Sequence, residues 1–149
     1  MSEKVTSSEL RSAPLSEGKP PYRILIVDDE ENDRDLNSRI LIRAGYDVVG
    51  AVDGDAAWEA IQIQHFDLMI TDNSMPKLNG VELVDKLRAA GAKLEVIFLT
   101  GEFPVEQFDR YPWLRTIVIL TKPVPNGQLL SVVEKILNEE GQSASAPSH

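Results

Sequence analysis

The chain has 149 residues, no cysteine and a formal net charge of -9 at pH 7. This length suits one domain with a proper core, and a hydrophobic content of 42% is typical of a globular protein. The negative charge argues against binding to nucleic acid or to an anionic membrane surface, and the lack of cysteine excludes disulfides and thiolate metal sites. No apolar stretch is long enough for a signal peptide core or a membrane span, so we expect a cytoplasmic location.

The two ends of the chain differ in composition from its middle. Residues 1–20 mix Ser, Glu, Lys and Pro without periodicity, which predicts a flexible leader. Residues 139–149 are polar and are expected to form a flexible tail. We therefore expect a single folded domain over residues 21–138.

Short apolar runs separated by turn residues predict five strands. In chain order they lie at residues 23–27, 46–49, 68–71, 96–99 and 117–120. The run at 68–71 has no charged residue, which is typical of a strand buried on both faces of a parallel sheet.

Helical periodicity predicts a helix after each strand. These helices are expected to end near Ala44, to run from Asp53 to about Gln64, to run from Asn79 to Gly91, to lie between Pro104 and Pro112, and to start at Asn126. In the first helix, Leu36 and Ile40 are expected on the inner face. The fourth helix should be short, because a proline ends a helix begun upstream of it. Alternating strands and helices predict an α/β fold with a parallel sheet and helices on both faces.

Polar side chains follow four of the predicted strands. Asp28 and Asp29 follow the first, Asp72 the third, Thr100 the fourth and Lys122 the fifth. Each alone has an ordinary explanation as a turn former, an acid at a helix start or a solvated lysine. Together they would share the edge of the sheet where ligands bind in open parallel sheets. A divalent cation such as Mg²⁺ and the lysine would balance the three carboxylates.

These residues and their order resemble the receiver domain of the two-component response regulators, the CheY-like group. The matching pattern is Val27 to Glu30, Asp72 with Met75, Pro76 and Gly80, then Thr100, then Lys122 with Pro123. The resemblance covers about residues 22–137. It implies a flavodoxin-like, doubly wound, five-stranded sheet in the order 2-1-3-4-5.

The resemblance also implies a metal site. Asp29, Asp72 and the backbone carbonyl of Ser74 match the family's Mg²⁺ ligands, and Asp28 matches an acid that acts largely through water. An octahedral cation of this kind prefers oxygen ligands and keeps several waters.

The same resemblance implies a phosphorylation site. Asp72 matches the phosphoacceptor, Thr100 the hydroxyl that contacts the phosphoryl group, and Lys122 the lysine that pairs with it. The peptide bond before Pro123 is usually cis in the family. Phosphoryl transfer to such a carboxylate depends on positioning and on positive charge around the phosphoryl oxygens.

Three features depart from the family pattern. Ile119 stands where an aromatic residue is usual, and Gly101 follows the threonine where Ala is common. Residues 113–116 replace the usual Gly-Ala-Asp turn before the fifth strand. These changes leave the predicted phosphorylation site intact and alter the usual route by which the signal leaves it.

We therefore expect a stand-alone response regulator that accepts a phosphoryl group from a histidine kinase or a histidine phosphotransfer protein and signals through contacts with a further protein. It would assist its own phosphorylation without being an enzyme. One alternative is a receiver-like scaffold that acts without phosphorylation, which the altered fifth strand favours. Another is an Asp-nucleophile phosphatase of the haloacid dehalogenase type, although Ser74 stands where those enzymes carry a second aspartate.

Overall fold

A computed structural model describes residues 21–75, 77–102 and 105–145, and the side chains of the last helix up to residue 138. Its strands and α-helices alternate along the chain. In order they are β1 (Arg23–Val27), α1 (Glu31–Arg43), β2 (Asp47–Ala51), α2 (Gly54–Ile63), β3 (Leu68–Thr71), α3 (Gly80–Ala89), β4 (Glu95–Thr100), β5 (Val118–Thr121) and α4 (Gln128–Ser145).

The five strands form one parallel sheet in the order β2-β1-β3-β4-β5. This confirms the predicted doubly wound, flavodoxin-like fold. The strand order reverses direction at β1 and β3, the position where such sheets open a crevice at the carboxyl ends of the strands.

Side chains of the central strands alternate between two apolar cores. In β3, Leu68 and Ile70 enter the core beneath α1 and α4, whereas Met69 enters the core beneath α2 and α3. The first core receives Leu41, Leu129, Val133 and Leu137 from its helices. The second receives Ala57, Val81, Leu83, Val84 and Leu87. Burial on both faces explains why Leu68, Met69 and Ile70 of β3 are all apolar rather than alternating with polar residues.

The turns that begin α2 and α3 are closed by polar side chains. Asp53 caps α2 by accepting a hydrogen bond from the backbone N–H of Ala56 at 2.8 Å. Asn79 and Glu82 form a capping box at the start of α3, in which each side chain accepts from the other residue's backbone N–H. Caps of this kind satisfy N–H groups that have no partner inside the helix.

The inner face of α1 differs from the prediction. Leu36 is 58% exposed, whereas Leu41 and Ile42 are buried. Five residues separate Leu36 from Leu41, which places the two side chains about 140° apart around a helix of 3.6 residues per turn. The expectation that Leu36 faces the sheet was therefore wrong, and the buried stripe lies nearer the end of the helix.

The connection between β4 and β5 also differs from the prediction. In its described part there is no α-helix, only two short 3₁₀ segments, Val105–Gln107 and Pro112–Thr116. Phe103 and Pro104 lie outside the described residues. Pro112 begins the second segment, a position where a backbone N–H would make no hydrogen bond inside the helix, so the lack of one costs nothing. The buried side chain of Leu114 anchors this segment to the core that contains Phe98.

Several predicted boundaries shift by one or two residues. Strand β2 starts at Asp47 and continues to Ala51, and β5 spans Val118–Thr121. Helix α4 continues past residue 138, into the stretch predicted to be a tail. The predicted leader, residues 1–20, lies outside the described residues and stays a prediction, as does the domain boundary at residue 138.

Within the described ranges, we find no helix that is both long and apolar enough to cross a membrane.

Candidate functional site

Strands β1, β3, β4 and β5 bring their polar end residues to one edge of the sheet. Asp28, Asp72 and Thr100 are buried there, and Asp29 is exposed beside them. The ends are also joined through the backbone, because the N–H of Lys122 donates to the carbonyl of Thr100 at 2.8 Å. The sequence-predicted residues therefore share one crevice, as the parallel sheet requires.

The loop after β3 sets the position of the Asp72 carboxylate. The backbone N–H of Asp72 donates to the carbonyl of Val27 at 3.1 Å, which continues the pairing with β1 by one residue. Carboxylate oxygen Oδ1 of Asp72 accepts from the backbone N–H of Ser74 at 3.1 Å. The loop then returns to Asn73, whose side-chain Oδ1 accepts from the N–H of Val81 at 2.9 Å. Asp72 is thus held by β1 on one side and by a closed loop on the other.

Gly80 allows α3 to begin directly against this loop. A Cβ atom at this position would lie 2.6 Å from the backbone oxygen of Asp72 and 3.0 Å from the Cα of Asn73. Both neighbours are backbone atoms and cannot rotate away as a side chain would. The glycine is therefore required by the close approach of two backbone segments.

Lys122 is the cation of the site. Its Nζ donates to Oδ2 of Asp28 at 3.1 Å, to Oδ2 of Asp33 at 3.1 Å and to Oδ2 of Asp72 at 3.2 Å. The side chains of Asp28 and Asp72 are only 4% and 10% exposed, and that of Lys122 is 22% exposed. The peptide bond between Lys122 and Pro123 is cis, as the family resemblance implies.

Burial and charge act in opposite directions on the pKa values of Lys122 and Asp28. Burial by itself would lower the pKa of Lys122, but its hydrogen bond to Asp28, the charges of Asp28 and Asp72 and its bond to Asp33 raise that pKa above its ordinary value. Burial raises the pKa of the Asp28 carboxyl, against the opposing effects of the Glu30 N–H and of Lys122. Lys122 therefore remains charged at neutral pH, since the ordinary pKa of a lysine, 10.5, is already far above neutral and is raised further here.

The loop after β1 holds Asp28 in place. The backbone N–H of Glu30 donates to Oδ1 of Asp28 at 2.9 Å, and the guanidinium of Arg34 donates to its backbone carbonyl at 2.7 Å. One carboxylate oxygen from each of Asp28, Asp29 and Asp72 lies within 4.8 Å of the others. Such a set of hard oxygen donors fits a divalent cation of the Mg²⁺ type.

Thr100 occupies the predicted position at the end of β4. It is fully buried, and its hydroxyl oxygen accepts from the backbone N–H of Glu102 at 3.4 Å, a long contact. Its backbone link to Lys122 places it beside the acidic cluster. Ile119, which replaces the usual aromatic residue, is half-buried and pairs with Phe98 across β4 and β5.

Sequence reasoning missed Asp33 and Arg34. Asp33 lies in the first turn of α1, where an acid is ordinarily explained by the positive end of the helix dipole. Its contact with Lys122 joins residues 89 positions apart in the chain. No local pattern could have indicated it, because it depends on how α1 packs against β1 and β2, with its first turn within reach of the Lys122 side chain.

The fold and the acidic cluster define a doubly wound α/β protein with three clustered carboxylates and a partly buried lysine at one sheet edge. A model of the response regulator receiver domain matches residues 24–134. The receiver protein CpdR of Brucella abortus is 31% identical over 115 residues, which are 77% of this chain and 96% of CpdR. The chain therefore belongs to the response regulator receiver domain family.

Two further relatives show how the domain is used elsewhere. The sensor protein EvgS of Escherichia coli K12 is 40% identical over 87 residues, which are 58% of this chain but only 7% of EvgS. The response regulator TrrA of Thermotoga maritima, solved in complex with Mg²⁺ and BeF, is 28% identical with a TM-score of 0.68, over 77% of this chain and 98% of TrrA. The chain thus spans nearly all of some relatives and a small part of others.

We expect Gly80→Ala to lower the free energy of unfolding by about 1–3 kcal/mol, because the new Cβ overlaps backbone atoms that cannot move aside. Urea denaturation followed by circular dichroism measures this. Gly101→Ala is the matched control, because a Cβ there meets nothing within 4 Å. Equal stability of the two variants would contradict the close-approach explanation.

Proposed function

We propose that this receiver domain accepts one phosphoryl group on Asp72 and signals through contacts with other proteins. The observation that carries the proposal is the position of the Asp72 carboxylate, 3.2 Å from the Lys122 ammonium and inside the acidic cluster at the sheet edge. A nucleophile, a fixed positive charge and a set of cation ligands are together what phosphoryl transfer to a carboxylate needs.

The proposed step is an in-line displacement at phosphorus. A carboxylate oxygen of Asp72 forms the new O–P bond while the bond from phosphorus to the donor nitrogen of a phosphohistidine breaks. The electron pair stays on that nitrogen, and imidazole leaves. Lys122 donates to the phosphoryl oxygens as charge develops on them, since its N–H groups already point at Asp72. Thr100, at the end of β4, supplies a hydroxyl donor to the same group once it turns inward.

The acidic cluster supports Mg²⁺ as the cofactor. The ion would be held by Asp28, Asp29, Asp72 and the backbone carbonyl of Ser74. The solved relative TrrA carries Mg²⁺. When bound, Mg²⁺ would neutralise negative charge on the carboxylates and on the phosphoryl oxygens. Asp29 is the exposed member of the cluster, so it is open to a hydrated ion arriving from solvent.

Receiver domains act with histidine kinases and with downstream effector proteins. For this domain we propose that the phosphoryl donor is a histidine kinase or a histidine phosphotransfer protein. A further protein would bind the phosphorylated domain and pass the signal on. CpdR is named a response regulator receiver protein and is matched over 96% of its length, which supports a protein that consists almost entirely of the receiver domain.

Incubation with acetyl phosphate and Mg²⁺ should raise the intact mass by one phosphoryl group, and Asp72→Asn should abolish this gain. The amide lacks the nucleophilic carboxylate oxygen. Asp85→Asn is the matched control, because Asp85 is an exposed acid of α3. Labelling of Asp72→Asn at the wild-type level would refute the assignment, and an unlabelled wild type would favour the phosphorylation-independent scaffold.

Mg²⁺ affinity should fall at least tenfold in Asp29→Ala, because one of the clustered carboxylate ligands is lost. Isothermal titration calorimetry measures the affinity directly. Glu30→Ala removes the same charge one residue further along and should bind Mg²⁺ nearly as the wild type does. Equal affinities in the two variants would contradict the cluster as drawn.

We propose that phosphorylation first moves Thr100 and that the conformational change then passes to the segment after β4. Ile119 is branched at Cβ and has no ring to follow the threonine inward. In its described part the segment has two 3₁₀ turns and no α-helix, and buried polar atoms of Gln107 and Trp113 lack a hydrogen-bond partner there. A segment of this kind shifts more readily than a strand inside a sheet.

Hydrogen exchange with and without beryllofluoride, a phosphoryl mimic, should change mainly over residues 100–114. The strand at 117–120 should change less, because its backbone remains paired with β4. Asp72→Asn with beryllofluoride is the control for nonspecific effects. Protection changes centred on 117–120 that spare 100–114 would contradict this route.

A further inference from the structure

Asp33 contributes a third carboxylate to Lys122, from outside the cluster that would bind a cation. A lysine ammonium has three N–H donors and no acceptor. Asp28, Asp33 and Asp72 each lie within hydrogen-bonding distance of it, so the three carboxylates use all of its donors. A phosphoryl oxygen arriving at Lys122 must therefore displace one of them.

Exposure indicates which carboxylate gives way. The side chain of Asp33 is 45% exposed, against 4% for Asp28 and 10% for Asp72. Water can take over the hydrogen bonds of Asp33 at small cost, whereas a buried carboxylate that loses its cation has no such replacement. Asp33 is therefore the partner that competes with an incoming anion for Lys122.

The charge of Asp33 also acts on the site as a whole. A bound divalent cation together with Lys122 balances Asp28, Asp29 and Asp72. Asp33 adds a further negative charge to this set, and it contacts the same ammonium as the phosphoacceptor Asp72. An excess negative charge attracts a cation and repels a phosphodonor anion, so its effects on the two ligands have opposite signs.

We propose that Asp33 is a positioning residue that restrains Lys122, strengthening cation binding and slowing phosphoryl transfer to Asp72. The inference rests on the proposed function of Asp72. Asp33 binds the Lys122 ammonium until a phosphoryl group displaces the Asp33 carboxylate. Removal of the Asp33 carboxylate leaves one N–H donor of Lys122 free for that group.

A purely structural role for Asp33 predicts a different result. An acid in the first turn of α1 stabilises the helix, and its loss would loosen the loop that carries Asp28. That change would weaken cation binding and slow phosphorylation together. Opposite shifts of the two quantities therefore separate competition for Lys122 from support of the helix.

The experiment compares Asp33→Asn with Glu31→Gln. Glu31 is an exposed acid in the same turn, so its variant has the same net charge and the same loss near the helix start. Phosphorylation by acetyl phosphate at saturating Mg²⁺ is followed by intact mass, and Mg²⁺ affinity by calorimetry. Asp33→Asn should be labelled about three- to tenfold faster and bind Mg²⁺ about three- to tenfold more weakly.

The control and a conservative variant complete the test. Glu31→Gln should change each quantity by less than about twofold, because Glu31 is not one of the three carboxylates around Lys122. Asp33→Glu keeps the charge and should stay close to the wild type in both measurements.

Two outcomes would overturn the inference. If wild type is labelled on Asp72 but Asp33→Asn is labelled no faster than Glu31→Gln, Asp33 does not restrain Lys122 and the proposed function stands. If neither wild type nor Asp33→Asn is labelled at all, the proposed function fails and the inference fails with it.

Discussion

The site depends on one electrostatic constraint, the presence of two buried carboxylates beside each other at the end of a parallel sheet. Asp28 and Asp72 are nearly excluded from water, and a carboxylate in such a position needs a positive partner to offset its lost hydration. Lys122 supplies that partner from β5, at 3.1 and 3.2 Å. The lysine keeps its charge because the same carboxylates stabilise its ammonium against the effect of burial.

The parallel sheet is what makes this arrangement possible. Every carboxyl end points to one edge, so residues from β1, β3 and β5 meet although they are far apart in the chain. Two apolar cores, one on each face, hold the strands in register. Loops after β1 and β3 then set the carboxylates through backbone hydrogen bonds from Glu30 and Ser74. The strands therefore bring these residues to one sheet edge, and the short loops fix the orientation of the carboxylates.

The connection from β4 to β5 differs from the rest of this design. Elsewhere each strand is followed by an α-helix that covers a sheet face, whereas the described part of this connection contains only 3₁₀ turns. Leu114 and the half-buried Ile119 still contribute to the core. Among the connections that the structure describes, the one that follows Thr100 therefore has the least regular backbone hydrogen bonding.

The amino-acid sequence by itself determined the strands, the sheet order through the family resemblance, and the five polar residues at the sheet edge. The strands and the polar residues that follow them are local features, because an apolar run followed by a polar residue is visible within a few positions. The sequence misplaced Leu36, because the spacing of Leu36 and Ile40 indicates a shared face but not its direction, and Leu36 lies about 140° around the helix from the buried Leu41. Likewise, Pro104 and Pro112 indicated a short helix but could not decide between α and 3₁₀ geometry.

Only the tertiary structure decided which charges pair with Lys122. Asp33 reads locally as an ordinary acid at a helix start, and it becomes a partner of Lys122 because α1 packs next to β1 with its first turn at the carboxyl edge. In the same way, the need for Gly80 follows from the docking of α3, which would put a Cβ atom at this position 2.6 Å from the Asp72 carbonyl oxygen. Contacts between residues distant in the chain depend on the packing of whole elements, and no local pattern of residues encodes them.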